Sequence, residues 1–417
     1  MQINRLALKF HADPTKVIMR YWGFRNIERL DRILTKIESL SNKAVEEAWL
    51  ELKKRFIHRH RNYEVRLLEH VDRVEKESGR RFSVTEAARQ LLGAFMTMEY
   101  TIEAAALFNP SIVTHPDQSG LPLGSTRFIM CLRAVGEGHI SSVEFKSGII
   151  DIDYKVTFED DPQWRTHAVA TNMSEENYDL EFNSEIPLNE RVLFPQTDDE
   201  SNGMEDVRLV EFRGDGFSSK YLGTYTAYNG RKIMSKSFET DDFRSFKIRS
   251  LHGSEIRGKG IAFFPRKIRG QHAAVGRQDG TNLTMMYAGD DMNWDQAIPM
   301  MAPAELHEMI QIGNCGSPIE TADGWLLLTH SVGAMRTYTL GVALLDLEYP
   351  EKIISYLKMP LMEPQENERE GYVPNVLYTC GWMQHRDRIL IPYAMSDSAC
   401  GFATVVVEDL LAKLKRD

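Results

Sequence analysis

No stretch of this 417-residue chain approaches the roughly 18 consecutive apolar residues that a membrane-spanning helix needs. The N-terminal MQINRLALKFHADPTKVIMRYWG has charges inside every apolar window and no small-residue cleavage site, which argues against a signal peptide. Together these absences lead us to expect a cytoplasmic protein. Cysteine is scarce: Cys131, Cys315, Cys380 and Cys400 lie far apart and form no C-x-x-C pair, so neither a zinc ribbon nor a dithiol redox motif is indicated. Free, buried thiols are expected instead. Positive charge is in deficit, with 50 Lys and Arg against 60 Asp and Glu for a net charge of -10. A chain that repels phosphate backbones overall, and carries no zinc-finger or RNP-type motif, is not expected to bind nucleic acid. Gross disorder is excluded as well, because 42% hydrophobic and 26% charged residues are ordinary for a globular protein.

Residues 26–106 read as helices. Leu30, Ile33, Leu34 and Ile37 recur at three- and four-residue spacing with charges between them. Farther along, Ser83 followed by Glu86 has the form of a capping box, and the pattern stops before Pro110. The basic run KKRFIHRHR, residues 53–61, fits a solvated helix face better than a polyanion site. Such extensive apolar stripes must be covered, so residues 1–105 are expected to form an N-terminal helical region that packs on its own chain's flank or builds a homo-oligomer.

Beyond Pro110 the texture becomes short β-rich runs punctuated by Gly, Asn and Asp. Five of them share one form, an apolar strand entering a polar tip: RFIMCLRAVG, YLGTYTAYNG, LTMMYAGDD, WLLLTHSVG and ILIPYAMSD, beginning near residues 127, 221, 283, 325 and 389. The spacing suits four-stranded blades with unequal loops. The expected fold is mainly β: a five-bladed β-propeller over 106–417 behind an N-terminal α-helical extension, with an irregular β-sandwich as the alternative. In a propeller these five runs would be innermost strands, and their tips Arg133, Tyr228, Asp290, His330 and Asp397 would converge on a central pocket.

The stretch GMEDVRLVEF, residues 203–212, sets Glu205, Asp206 and Arg208 at the entrance to an alternating strand. Downstream come KGIAFFPRKI (259–268), GNCGSPIETADGWLLLTHSVG (313–333), YTLGVALLDLEYPEKII (338–354) and EREGYVPNVLYTCG (368–381). This ordered set resembles glycoside hydrolase family 130, the β-mannoside phosphorylases and β-mannosidases built on a five-bladed propeller, over roughly residues 105–412. The family pattern E-D-P-R has Val207 in place of its proline here, and both functional side chains remain. The resemblance implies that Asp206 is the proton donor, relaying its proton through the 3-hydroxyl of the mannosyl unit in the phosphorylases.

A glycosidic oxygen leaves poorly unless it is protonated as the oxocarbenium-like transition state forms, so one acid is required. The second requirement is a nucleophile on the opposite face of the sugar. For phosphate, Lys259 and His330, with Arg231, Arg277 and Arg336, supply cations and donors. For water, a carboxylate base is needed, and Glu368 or Glu320 is available. Lys259-Gly260 stands where family members often have K-D. Asn109, Arg133, Glu205, Arg208, Tyr228, Asp290, Glu368 and Asp397 are the expected sugar contacts, with Tyr228, Tyr287 and Tyr393 able to stack on a ring. Trp325 and Tyr338 read as core. GEGH, residues 136–139, is a two-glycine turn too slight for a phosphate loop, and its lone His is too little for a metal site. HPD, residues 115–117, reads as a turn. The expected activity is inverting cleavage of β-mannosidic linkages in manno-oligosaccharides, by phosphorolysis to mannose 1-phosphate with inorganic phosphate as co-substrate. No cofactor or metal is expected. An inverting β-1,2-mannosidase that uses water, and a non-catalytic propeller that binds a glycan or a protein, are the alternatives.

Overall fold

The computed structural model describes residues 1–214 and 219–416, and the chain divides into two compact units. One comprises residues 14–103 and 162–166; the other comprises 1–13, 104–161 and 167–417.

In the first unit the apolar spacing produces four helices: α1 (Ile27–Glu38), α2 (Asn42–Phe56), α3 (Tyr63–Ser78) and α4 (Glu86–Phe95). Asn26, Ser41 and Thr85 cap α1, α2 and α4 by accepting a backbone N–H three residues on. The cap of α4 is therefore Thr85 and not the expected Ser83, because the Thr85 hydroxyl accepts from Ala88 N at 3.3 Å. Leu30, Leu34, Val71, Val74, Leu92 and Met96 share one apolar cluster. Gly93 lets α4 close on α3, since a Cβ there would stand 2.4 Å from the Leu67 carbonyl oxygen. Two strands, Val17–Tyr21 and Thr97–Thr101, pair antiparallel beside the helices. Part of the basic run turns inward: Arg59 and His60 both bind Glu99, at 2.7 and 2.6 Å. None of the described helices is long and apolar enough to cross a membrane.

The second unit is almost entirely antiparallel β-sheet, laid down as consecutive meanders. Ala106–Thr114, Thr126–Val135 and Ser141–Ile150 begin the first; Gly203–Arg213, Ser219–Tyr228, Ile233–Thr240 and Ser245–Ser250 form the next, joined to it by one parallel pair, Gly203 with Ser141. Ala262–Phe263, His272–Gly276, Leu283–Ala288 and Gln296–Met301 follow. Then come Gln311–Asn314, Gly324–Val332, Tyr338–Leu345 and Ile353–Tyr356. The last meander, Leu377–Tyr378, Arg388–Met395 and Ala399–Val406, is completed by the N-terminal strand Asn4–His11, which pairs antiparallel with Ala399–Val406. Residues expected to open a helical region thus begin as an edge strand.

Apolar clusters lie between successive meanders. Val113, Phe145, Leu209 and Phe238 join the first to the second; Val210, Phe212, Phe263 and Trp294 join the second to the third; Val275, Met285, Trp325 and Leu345 join the third to the fourth; Leu328, Leu344, Ile389 and Ile391 join the fourth to the fifth. Phe128, Met130, Leu390 and Phe402 join the fifth back to the first. All four cysteines are buried and free.

The five apolar runs do not hold equivalent places. RFIMCLRAVG, YLGTYTAYNG, WLLLTHSVG and ILIPYAMSD are second strands of their meanders, and LTMMYAGDD is a third strand. The first strands are shorter or broken in register. Ala106–Thr114 loses its pairing between Phe108 and Ser111, and Gly203–Arg213 between Glu205 and Arg208.

Candidate active site

Those two register breaks place Asn109 and Asp206. In an unbroken strand successive side chains point to opposite faces, so Glu205 and Asp206 would be separated. Asp206 instead has φ 54°, a left-handed bulge conformation, and Glu205, Asp206 and Arg208 all reach one cavity of about 260 Å³. Asn109, Arg336 and Asp397 line the same cavity from equally unusual backbone, with φ of 50°, 55° and 51°. Non-glycine residues in this region cost on the order of 1–3 kcal/mol each and persist where surrounding contacts hold them. For Asp206 that contact is Arg208: its Nη1 donates to the Asp206 carbonyl oxygen at 3.0 Å, its Nε to Asn314 Oδ1 at 3.1 Å and its Nη2 to the Tyr378 hydroxyl at 2.7 Å. The guanidinium that reads in sequence as a sugar contact thus donates from all three of its nitrogens to groups within the protein. Lys259-Gly260 also has a structural reason, since Gly260 adopts φ 81° and a Cβ there would meet Arg208 Nη2 at 3.0 Å.

The acidic side of the cavity is closely wired. Arg133 Nη2 donates to Glu205 Oε1 at 2.8 Å, and Lys259 Nζ to Glu205 Oε2 at 2.9 Å. Asp206 Oδ1 accepts from Asn109 Nδ2 at 2.8 Å and from Arg133 Nη1 at 3.3 Å. Burial alone would raise the Asp206 pKa, but Arg133, Arg208, the Asn109 hydrogen bond and Lys259 outweigh it and hold the carboxyl below its ordinary value. Asp397 goes the other way, pushed up to about 6 by burial and by the charge of Asp206. The two carboxyls therefore differ in protonation preference within one cavity.

Arg277, His330 and Arg336 line the same cavity. Burial, then the Arg277 and Arg208 guanidinia, push His330 well below its usual pKa, so the ring is neutral. Its Nδ1 lies 3.1 Å from the Asn314 carbonyl oxygen, which fixes the proton there, and Nε2 faces Arg277 Nη1 at 3.4 Å as an acceptor. His330 thus orients Arg277. The Arg277 Nε is buried without a hydrogen-bond partner, and among the described residues no carboxylate lies within ion-pair distance of Arg277 or Arg336. Burial, the largest influence, lowers the pKa of Arg277. Two guanidinia without a carboxylate in ion-pair range, Arg277 half-buried and Arg336 exposed, have the chemistry to receive an anion.

Several sequence expectations fall elsewhere. Asp290 is exposed and pairs with Lys267 at 2.6 Å. It ends a third strand, whose direction is opposite to that of the second strand leading to Arg277, so its tip lies at the other end of the sheet. Glu368 is buried outside the cavity, bound by Arg5 and by the Tyr393 hydroxyl at 2.7 Å. Glu320 belongs to a different cavity, with Leu209 and Trp382, and pairs with Arg266. Tyr287 and Tyr393 are buried core residues hydrogen-bonded to Glu351 and Glu368, and neither offers a face to a sugar. Arg231 sits in an exposed turn outside the cavity, and Tyr228 stands behind Lys259, whose Nζ lies 5.8 Å from its ring. Trp325 is core, whereas Tyr338 lines the cavity. Asn314 and Tyr378, which anchor Arg208, carry no local signal of that role, because Arg208 is 106 and 170 residues away in sequence.

A model of the glycoside hydrolase 130 family, described as beta-1,4-mannooligosaccharide phosphorylase, matches residues 168–416. The chain is similar to the 1,2-beta-oligomannan phosphorylase of Thermoanaerobacter sp. (strain X514), at 32% identity over 54% of this chain and 75% of that protein. It is also similar to the beta-1,2-mannobiose phosphorylase of the same organism, at 32% identity over 52% and 71%. The fold is like that of the beta-1,2-mannobiose phosphorylase from Listeria innocua solved with beta-1,2-mannobiose, with a TM-score of 0.56 at 17% identity, covering 76% of this chain and 94% of that one.

Proposed function

The chain belongs to glycoside hydrolase family 130, and we propose that it cleaves β-mannosidic linkages in manno-oligosaccharides by inverting phosphorolysis. Its meanders are then the blades of a five-bladed propeller. Support for that architecture comes from the apolar clusters that join each meander to the next and the last to the first.

The observation that carries the reaction is that Asp206, Arg277 and Arg336 line one cavity. A phosphate held by the two guanidinia attacks the anomeric carbon, the bond to the glycosidic oxygen breaks, and that oxygen receives the proton that Asp206 supplies. Configuration inverts, and the products are α-mannose 1-phosphate and a shortened sugar. Asn109, Arg133 and Glu205 hold the acid and the sugar around it; Asp397 serves as a further sugar contact. Neither carboxylate considered as a base for water, Glu320 or Glu368, lies in this cavity, which favours phosphate as the nucleophile. Release of mannose 1-phosphate from β-1,2-mannobiose should require inorganic phosphate, and equal turnover without phosphate would refute the reading.

The low proton affinity of Asp206 has a kinetic consequence. A general acid must be protonated in the reactive complex, so activity is present below its pKa and lost as pH rises through it. Phosphate bound opposite adds negative charge and raises that pKa. The basic limb of kcat at saturating phosphate should therefore lie at higher pH than the limb of kcat/KM for phosphate. Coincident limbs would contradict the coupling.

Assembly through the helical unit belongs to the same proposal, supported by exposed apolar side chains at Leu50, Val65 and Phe95. Light scattering that gives a monomer mass would remove it.

A further inference from the structure

An exposed pair of rings stands outside the cavity and is used by none of the steps above. Tyr372 is 55% exposed, His139 is exposed, and their rings stack with centroids 6.0 Å apart at 29°. The Tyr372 hydroxyl lies 3.2 Å from His139 Nδ1. Exposed aromatic rings normally fold against something; this pair is instead displayed by two anchored loops.

Its position follows from what anchors each ring. His139 has φ 61° and ends the turn directly after the strand Thr126–Val135, which carries Arg133 into the cavity. Tyr372 N donates to Ser398 Oγ at 2.9 Å, and Val373 N to the Ser396 carbonyl oxygen at 3.0 Å, so both bracket Asp397. The Tyr372 loop is fixed at either side as well. Ser396 Oγ donates to the Glu368 carbonyl oxygen at 2.8 Å, and Tyr338 N donates to that of Asn375 at 3.0 Å. Four residues after Tyr372, Val376 lines the cavity. The buried Glu368 has its role here, as an anchor for the loop.

We propose that Tyr372 and His139 form the platform for the leaving-group sugar, the pyranose ring beyond the cleaved bond, which lays a C–H face on the Tyr372 ring. The inference rests on the phosphorylase reading and deepens it. The enclosed, charged cavity suits the reacting mannosyl unit and phosphate, whereas the next ring emerges between the Arg133 and Asp397 loops, where the pair stands. A flat, rigid aromatic surface accommodates a pyranose at little conformational cost. Its contribution goes to binding, because the ring touches no atom that changes bonding.

The test uses the full chain, β-1,2-mannobiose and inorganic phosphate. Tyr372→Ala should raise KM for the disaccharide about tenfold, equivalent to ~1.4 kcal/mol, with the loss falling in KM and not in kcat. Tyr372→Phe keeps the ring and should restore KM to within about threefold, while His139→Ala, which leaves Tyr372 without its partner, should fall between. An unchanged KM in Tyr372→Ala, or a loss confined to kcat, would overturn the platform. Absence of phosphate-dependent turnover in the unsubstituted protein would instead overturn the phosphorylase reading. Calorimetric titration with the same disaccharide would then still decide the platform, by a weaker Kd for Tyr372→Ala or an equal one.

Discussion

Asp206→Asn should lower phosphorolysis of an unactivated β-mannoside by about 100-fold or more and leave the fold intact. The amide oxygen can still accept from Asn109 Nδ2, as Asp206 Oδ1 does at 2.8 Å. Asparagine tolerates left-handed backbone well, so φ 54° at this position survives the substitution. Arg133 keeps Glu205 as a partner at 2.8 Å. What disappears is the titratable proton. An aryl mannoside, whose leaving group needs little protonation, should therefore lose much less than β-1,2-mannobiose. Steady-state kinetics on the two substrates check this, and equal losses on both would point to damaged geometry in place of a missing acid.

Arg277→Met should raise KM for phosphate roughly 100-fold, within the ~1.5–3 kcal/mol typical of a hydrogen bond to a charged group. Methionine replaces much of the apolar stem and removes the charge. Because Arg277 has no carboxylate partner, its removal strands no buried anion, and the principal neighbour left behind is His330 Nε2 at 3.4 Å. KM for the mannoside should change by less than a few-fold, because Arg277 shares no hydrogen bond with Asp206, Asn109, Arg133 or Glu205. Initial rates over a phosphate titration distinguish the outcomes. If KM for phosphate stays near its original value, Arg277 is not the anion site.

The sequence disclosed the sheet-rich architecture and most of the cavity wall, yet the five runs that look alike in it do not hold equivalent places in their meanders. Runs such as WLLLTHSVG are long, regular second strands buried on both faces, so their apolar signal is strong. The first strands carry Asn109 and Asp206 on register breaks, and a bulge destroys the period-two pattern at the residues that matter most. The same cause explains Asp290. LTMMYAGDD has a clearer strand signal than the short HAAVG, His272–Gly276, so the conspicuous third strand was chosen and Arg277, at the end of the inconspicuous second, was reached only through its charge.

Glu368 illustrates a different limit. Its partners Arg5 and Tyr393 are 363 and 25 residues away in sequence, and nothing local signals that the carboxylate is tied down. Tyr338 is the converse case. A tyrosine opening an apolar strand reads as core, and only the closure of neighbouring strands exposes it to the cavity. Arg208 was legible as a functional position, but its task of holding the strained Asp206 backbone depends on Asn314 and Tyr378, which long-range pairing brings to it.

The central claim is that phosphate, held opposite Asp206, attacks the face of the mannosyl carbon opposite the bond that breaks. Proton and phosphorus NMR of a reaction started with β-1,2-mannobiose and inorganic phosphate reads this directly, through the identity and anomeric configuration of the first product. The account predicts α-mannose 1-phosphate appearing in step with one equivalent of mannose. Two equivalents of free mannose with no sugar phosphate, or a β-configured phosphate, would contradict it.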